Sequence, residues 1–151
     1  MRQGSMKKLT ETEKAYIAGL LDGEGCIGVF RQKIKNRTHE YNFGARVIIT
    51  NSNFPVICWL KEKTGIGCAY EYNKSYKENW NKVHRWQVTS RKARTFIKTI
   101  YPYLIIKKEI ANVVLKLPVH KKWEGRERTI NQYQAQYKIF ELAKVMNKRG
   151  A

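Results

Sequence analysis

Apolar and polar positions along this chain switch between two periods, and each switch marks an element. Ile17, Leu20 and Leu21 recur at i, i+3, i+4 on one helical stripe, while Ala15, Ala18, Gly19 and Asp22 fall on a second stripe of small residues. Upstream, Thr10-Glu11-Thr12-Glu13 has capping-box spacing, so the helix is predicted to begin at Thr10. Gly23 and Gly25 bracket Glu24, which ends the helix on permissive backbone with a carboxylate at its tip. The period then drops to two. Residues 26–31 read as a strand and 32–40 as a polar, basic loop. Residues 41–50 alternate strictly, with Phe43, Ala45, Val47 and Ile49 on one side and Asn42, Gly44, Arg46 and Ile48 on the other.

Asn51-Ser52-Asn53 followed by Pro55 predicts the start of a second helix through Ile57, Trp59 and Leu60 to Thr64. Strands follow at 68–72 and 83–89, separated by a basic loop; on the latter, Trp86 and Val88 alternate with Arg85, Gln87 and Thr89. A helix from Ser90 to Pro102, another over 104–117, a charged linker from His120 to Arg128 and a last helix over 129–148 complete the chain. The expected architecture is α+β: a four-stranded antiparallel sheet with helices on one face and the other face open. One domain is expected over 9–148, after a tail of residues 1–8 in which Met1 to Ser5, ahead of a second methionine at Met6, reads as a vector remnant.

Charge adds a partner to this picture. Thirty Lys and Arg against 12 Asp and Glu give +18 in 151 residues, which calls for a polyanion, nucleic acid before an anionic membrane surface. No apolar run is long enough to span a bilayer. Cys26, Cys58 and Cys68 are an odd number without Cys-x-x-Cys spacing, which argues against a disulfide framework or a structural zinc site. Reduced thiols and the absence of an apolar leader at the start are expected of an intracellular protein. His39, His84 and His120 share no ligand spacing and are expected at the surface or on nucleic acid.

The open sheet face should carry Gly28, Phe30, Gln32, Asn42, Gly44, Arg46, Ile48, Tyr70, Tyr72, Arg85 and Gln87. Arg, Gln and Asn can contact base edges in a major groove, and a two-stranded ribbon fits there. Lys33, Lys35, Arg37, Lys74, Lys77 and Lys82, at the hairpin tips, suit phosphates. The alternative is a solvated polar face.

The stretch Ile17-Ala18-Gly19-Leu20-Leu21-Asp22-Gly23-Glu24-Gly25 resembles the LAGLIDADG motif, matching it at Ala18, Gly19, Leu20, Asp22 and Gly25 and keeping an acid at the penultimate position. The order of elements from Leu9 to Leu117 is similar to that of the single-motif LAGLIDADG homing endonucleases. What the resemblance implies is a homodimer joined through Ala15, Ala18, Gly19 and Asp22, cutting both strands of a long, nearly palindromic double-stranded DNA site and promoting intron mobility. By the same resemblance Glu24, with Gly23 beside it, would hold Mg2+, with Mn2+ as a substitute and Ca2+ supporting binding without cleavage. Glu24 has the longer arm where the motif name has Asp. Asn51 would orient the attacking water, or only cap the following helix. Lys107, with Lys108 as its rival, would stabilise phosphate charge, or be a surface lysine. Asp22 would be structural rather than a metal ligand. A non-cleaving intron maturase or DNA-binding regulator on the same scaffold is the alternative; an acid set against phosphates argues for the nuclease. RNA is a less expected partner.

Overall fold

A computed structural model describes residues 5–35, 39–72, 82–119 and 128–149. Arg37, Lys74, Lys77 and the linker residues 120–127 with His120 lie outside the described residues. The elements are α1 (Glu11–Glu24), β1 (Gly25–Lys33), β2 (Tyr41–Asn51), α2 (Phe54–Thr64), β3 (Cys68–Tyr72), β4 (Val83–Thr89), α3 (Ser90–Ile100), a 3-10 turn (Tyr101–Tyr103), α4 (Lys108–Leu115) and α5 (Ile130–Arg149).

Local signals account for most of these limits. The capping box forms as the spacing predicts: Glu13 N–H donates to Thr10 Oγ1 at 3.1 Å and Thr10 N–H to Glu13 Oε1 at 2.9 Å. Asn53 Oδ1 accepts the Val56 amide at 3.0 Å and opens α2, which Gly65 ends in left-handed backbone at φ 70. The strands pair antiparallel in the order β1-β2-β4-β3, so the first hairpin lies at one side of the sheet and β4 beside its centre.

Ile27, Val29, Ala45, Val47, Ile49, Trp86 and Val88 share the face on which the helices pack, and all are buried. Trp86 lies 4.9 Å from the Phe96 ring of α3 and donates its indole N–H to Ile66 carbonyl at 3.0 Å, which satisfies the polar atom that burial would otherwise strand.

The step from α1 into β1 takes place without a connecting residue, and Gly25 is what permits it. Its φ of −108 is open to any residue; the constraint is space. A Cβ there would lie 2.9 Å from Leu21 carbonyl oxygen, 3.1 Å from Ile48 carbonyl oxygen and 2.2 Å from Leu21 Cδ1. Gly25→Ala is therefore expected to destabilise the fold by about 1–3 kcal/mol through overpacking, lowering the thermal midpoint by roughly 3–10 °C. A melting curve matching the parent's would show that the helix and strand can part at no cost.

Among the boundaries that differ from the sequence expectation, two have a clear cause in the pairing. β1 continues to Lys33, because pairing with β2 extends through Lys33 opposite Tyr41. α4 begins at Lys108 rather than Leu104, because the amides of residues 105–107 are bonded elsewhere, as described below.

The C-terminal helix covers the helix-side surface of the first hairpin. Phe43 packs against Tyr133, Tyr137 and Phe140 with centroids 5.5–5.8 Å apart. Arg31 lies over Tyr41 and Phe140 and donates to Tyr137 Oη at 3.3 Å. Further along, Asn147 donates to Ile27 carbonyl at 3.0 Å and so reaches the edge of β1. Its side chain also sits where a Gly28 side chain would begin, 3.2 Å from an ideal Cβ, so Gly28 is buried rather than open.

Candidate active site

The end of α1 reaches the sheet where β2 ends, and there the structure gathers Asp22, Glu24, Asn51 and Lys107. Glu24 is exposed, and Asn51 Nδ2 donates to its Oε2. Asn51 is itself held, because its Oδ1 accepts the Asn53 amide at 2.7 Å, and Asn53 caps α2. The orientation of the Asn51 amide is thereby fixed: oxygen toward Asn53, nitrogen toward the carboxylate. Both readings of Asn51 meet here in a third arrangement, since it is Asn53 that caps the helix and Asn51 that steadies Glu24.

Asp22 is held by three backbone amides. Its Oδ2 accepts the amides of Ile105 and Ile106 at 2.8 and 3.1 Å, and its Oδ1 accepts that of Lys107 at 2.9 Å. Burial pushes this carboxyl up, but the amide donors of Ile105, Lys107 and Ile106 and the nearby Lys107 charge outweigh it and hold the group below the ordinary aspartate range. Lys107 Nζ donates to Asp22 main-chain carbonyl at 2.9 Å, one of the acceptors a helix leaves free in its last turn. The Lys108 ammonium lies over the Tyr101 ring, 5.3 Å from its centroid. The geometry therefore separates the two lysines that sequence left tied.

The small stripe on α1 divides. Ala15 and Gly19 are exposed, whereas Ala18 is 0% and Asp22 9% exposed, so these two expected contact residues are turned into their own protomer. The reason is that α1 packs on both the sheet and α3, and two contacts cover a wider arc than the one aliphatic stripe. The face left open holds Thr12, Ala15, Tyr16, Gly19 and Gly23, and an added Cβ at Gly19 or Gly23 would meet nothing within 4 Å.

On the outer face of the sheet, register puts Gln32 opposite Asn42, Arg46 opposite Thr89, Gln87 between Ile48 and Cys68, and Arg85 between Thr50 and Tyr70. Arg46 and Gln32 are exposed, and so are Lys33 and Lys35 at the hairpin end. Several of these side chains brace one another. Tyr70 Oη donates to Gln87 Oε1 at 3.1 Å, and the Arg85 guanidinium lies 3.5 Å from the Tyr72 ring centroid with its Nε donating to Thr50 Oγ1 at 3.4 Å. Thr50 and Cys26 belong to this face as well; carrying the alternation one step further along β2 and β1 would have found them. Phe30 is taken up differently, its ring lying over Gly44. His39 stacks on Tyr133 at 4.6 Å and donates to Arg128 carbonyl, and His84 packs on Phe54 at 4.4 Å, so both are half-buried against neighbouring rings.

The donor set suits a hard cation. Glu24 carboxylate and the last-turn carbonyl of exposed Gly23 are oxygen donors, and magnesium is commonly held by one or two carboxylates with water and phosphate completing its shell. One protomer supplies a single free acid, since Asp22 is occupied; among the described residues no group of three or more His, Cys, Asp or Glu could hold a metal.

No family model matches the chain. It is 29% identical over 56 residues to the probable intron-encoded endonuclease Cox1-I1b of Schizosaccharomyces pombe, a match covering 37% of this chain and 15% of the relative's length. Among solved structures, the archaeal intron-encoded homing endonuclease I-Vdi141I complexed with DNA superposes with a TM-score of 0.65 at 21% identity, covering 89% of this chain and 83% of its own. The homing endonuclease I-CvuI, solved with I-CreI target in 2 mM Mg with the DNA not cleaved, gives 0.61 at 20% identity, covering 85% and 95%.

Proposed function

We propose that this chain, whose fold is that of the LAGLIDADG homing endonucleases, is a site-specific, divalent-metal-dependent DNA endonuclease that works as a homodimer. One observation carries the reading: Glu24 is an exposed carboxylate, oriented by Asn51, at the lip of a basic sheet face. An acid set where phosphates would lie weakens plain binding of a polyanion by charge repulsion. It makes sense when a cation stands between them.

Two copies packed through Ala15, Gly19 and Gly23 would bring their α1 helices backbone to backbone, because small residues let helix axes approach closely. A two-fold axis between the helices then sets the two Glu24 side chains next to one another and predicts a nearly palindromic site. Gln32, Asn42, Arg46, Arg85 and Gln87 would read base edges, with Tyr70 and Tyr72 adding apolar contact or phosphate bonds. Lys33 and Lys35, and with them Arg37 and Lys74, would bond phosphates.

Both Glu24 side chains, with the Gly23 carbonyls, would hold the magnesium; bound there it would polarise the phosphate and acidify a water. Asn51 keeps one N–H and one oxygen lone pair unused by Glu24 and Asn53, enough to orient that water. Its oxygen bonds to phosphorus as one bridging P–O bond breaks, and the departing oxygen takes up a proton. Lys107 offsets the negative charge that builds on the phosphate in between. Manganese should substitute, and calcium should support binding alone. Such an enzyme would act on the DNA of its host compartment, organellar, archaeal or bacterial, and would promote the mobility of the intron that carries it.

The test is cleavage of a randomised, partly palindromic DNA library in magnesium, with calcium as the binding control. Recovery of one long site with two-fold symmetry is expected. Retention of nucleic acid without cutting in magnesium or manganese would instead make the chain a binding module, a maturase or a regulator.

A further inference from the structure

Residues 105–107 join the 3-10 turn to α4 with almost no packing of their own. Ile105 is 85% exposed and Ile106 72%, so no apolar contact fixes this stretch, although Leu104 before it and Ile110 after it are buried. What fixes it is the Asp22 carboxylate, which accepts all three successive amides. The Lys107 ammonium returns to the carbonyl of the same residue. Backbone and head group of this lysine are thus both fastened to one residue of α1, two positions before Glu24. Helix geometry sets the offset between those positions, at about 1.5 Å of rise per residue. The two charged residues therefore share one anchor at the end of α1, although they are 83 residues apart in the chain.

We infer that Asp22 is a positioning residue for Lys107, holding the lysine at a fixed offset from Glu24 so that both address one phosphate. This rests on the nuclease reading, in which Lys107 meets the reacting phosphate. It also gives the motif's first acid a task in the chemistry that does not involve metal, because the carboxylate is engaged by three backbone donors.

The experiment is a double-mutant cycle of Asp22→Asn and Lys107→Ala, read as single-turnover cleavage in magnesium on the site recovered from the library, with affinity measured in calcium. Asn keeps the size of Asp but turns an N–H donor toward amides that also donate. Asp22→Asn is expected to slow cleavage by about 10- to 100-fold, the usual effect of a displacement near 1 Å at a reacting centre. Its calcium affinity should stay within about two-fold of the parent, and in the Lys107→Ala background the same change should cost less than about three-fold. Amide hydrogen exchange at Ile105, Ile106 and Lys107 should quicken in Asp22→Asn. Equal slowing with and without Lys107 overturns the inference, as does cleavage at the parental rate. If Asp22→Asn does not fold, Ile106→Pro deletes one of the three donors beneath an exposed side chain, leaves α1 untouched and enters the same cycle. A parent that never cuts sinks the nuclease reading and this inference together; a parent that cuts, with additive variants, sinks this inference alone.

Discussion

Glu24→Gln is expected to bind its DNA site in calcium as tightly as the parent or more tightly, and to lose cleavage by roughly a thousand-fold or more. The substitution is nearly isosteric. Glutamine can still offer a carbonyl oxygen to Asn51 Nδ2, so the arrangement that orients the side chain survives. What disappears is the charge, and in a dimer it disappears twice, from both sides of the shared cation. Binding should not suffer, because the base and phosphate contacts along the sheet remain, and removing the carboxylate removes its repulsion of DNA phosphates together with the cation that offset it. Single-turnover cleavage and calcium-phase binding, measured on the same preparation, separate the two effects. A Glu24→Gln protein that cuts within ten-fold of the parent would mean that the carboxylate does not hold the metal.

The second large effect is expected at Gly19. In the isolated protomer an added side chain there meets nothing within 4 Å, so Gly19→Leu should leave the fold intact. It should even favour the helix, by about 0.8 kcal/mol, because glycine is a poor interior helix residue. A glycine kept on the open side of a helix, at a cost to that helix, fits contact with another backbone. The variant is therefore expected to run as a monomer, with its dimer weakened at least about 100-fold by overpacking of roughly 3 kcal/mol. Site-specific DNA binding should fall with it, since each half reads only half a site. Sedimentation equilibrium gives the answer directly. A Gly19→Leu protein with the parent's mass would show that the open stripe of α1 is not the interface.

Both expectations start from a motif readable as sequence, yet the two differ in how much the sequence could say. Glu24 was legible because its place depends on local rules: a capping box starts the helix, two glycines end it, and the acid between them has nowhere to go but the tip. Which residues of the small stripe stay exposed was only half legible. Helical periodicity ranks positions around the axis, but it does not say how many neighbours the helix has. With both the sheet and α3 packed on α1, Ala18 and Asp22 fall inside and Gly23 moves into the exposed set. Gly25 is a similar case, where a glycine at a helix end reads as permissive backbone and turns out to be demanded by the approach of Leu21 and Ile48.

Sequence by itself determined the element order, the two faces of the sheet, the basic outer surface and the acid at the end of α1. These follow from period, capping chemistry and charge, all of which act within a few residues. Tertiary structure decided what depends on groups far apart in the chain. It set the Lys107 ammonium on the Asp22 carbonyl and the Lys108 ammonium beside Tyr101, delayed α4 until Lys108, turned Asn51 toward Glu24, and gave α5 the underside of the first hairpin through Arg31, Phe43 and Tyr137. The bond from Asp22 to the amides of 105–107 spans more than 80 residues of chain, and no periodicity within either segment encodes it. A carboxylate finds whichever unpaired amides the packing brings to it, and only the folded chain determines which those are.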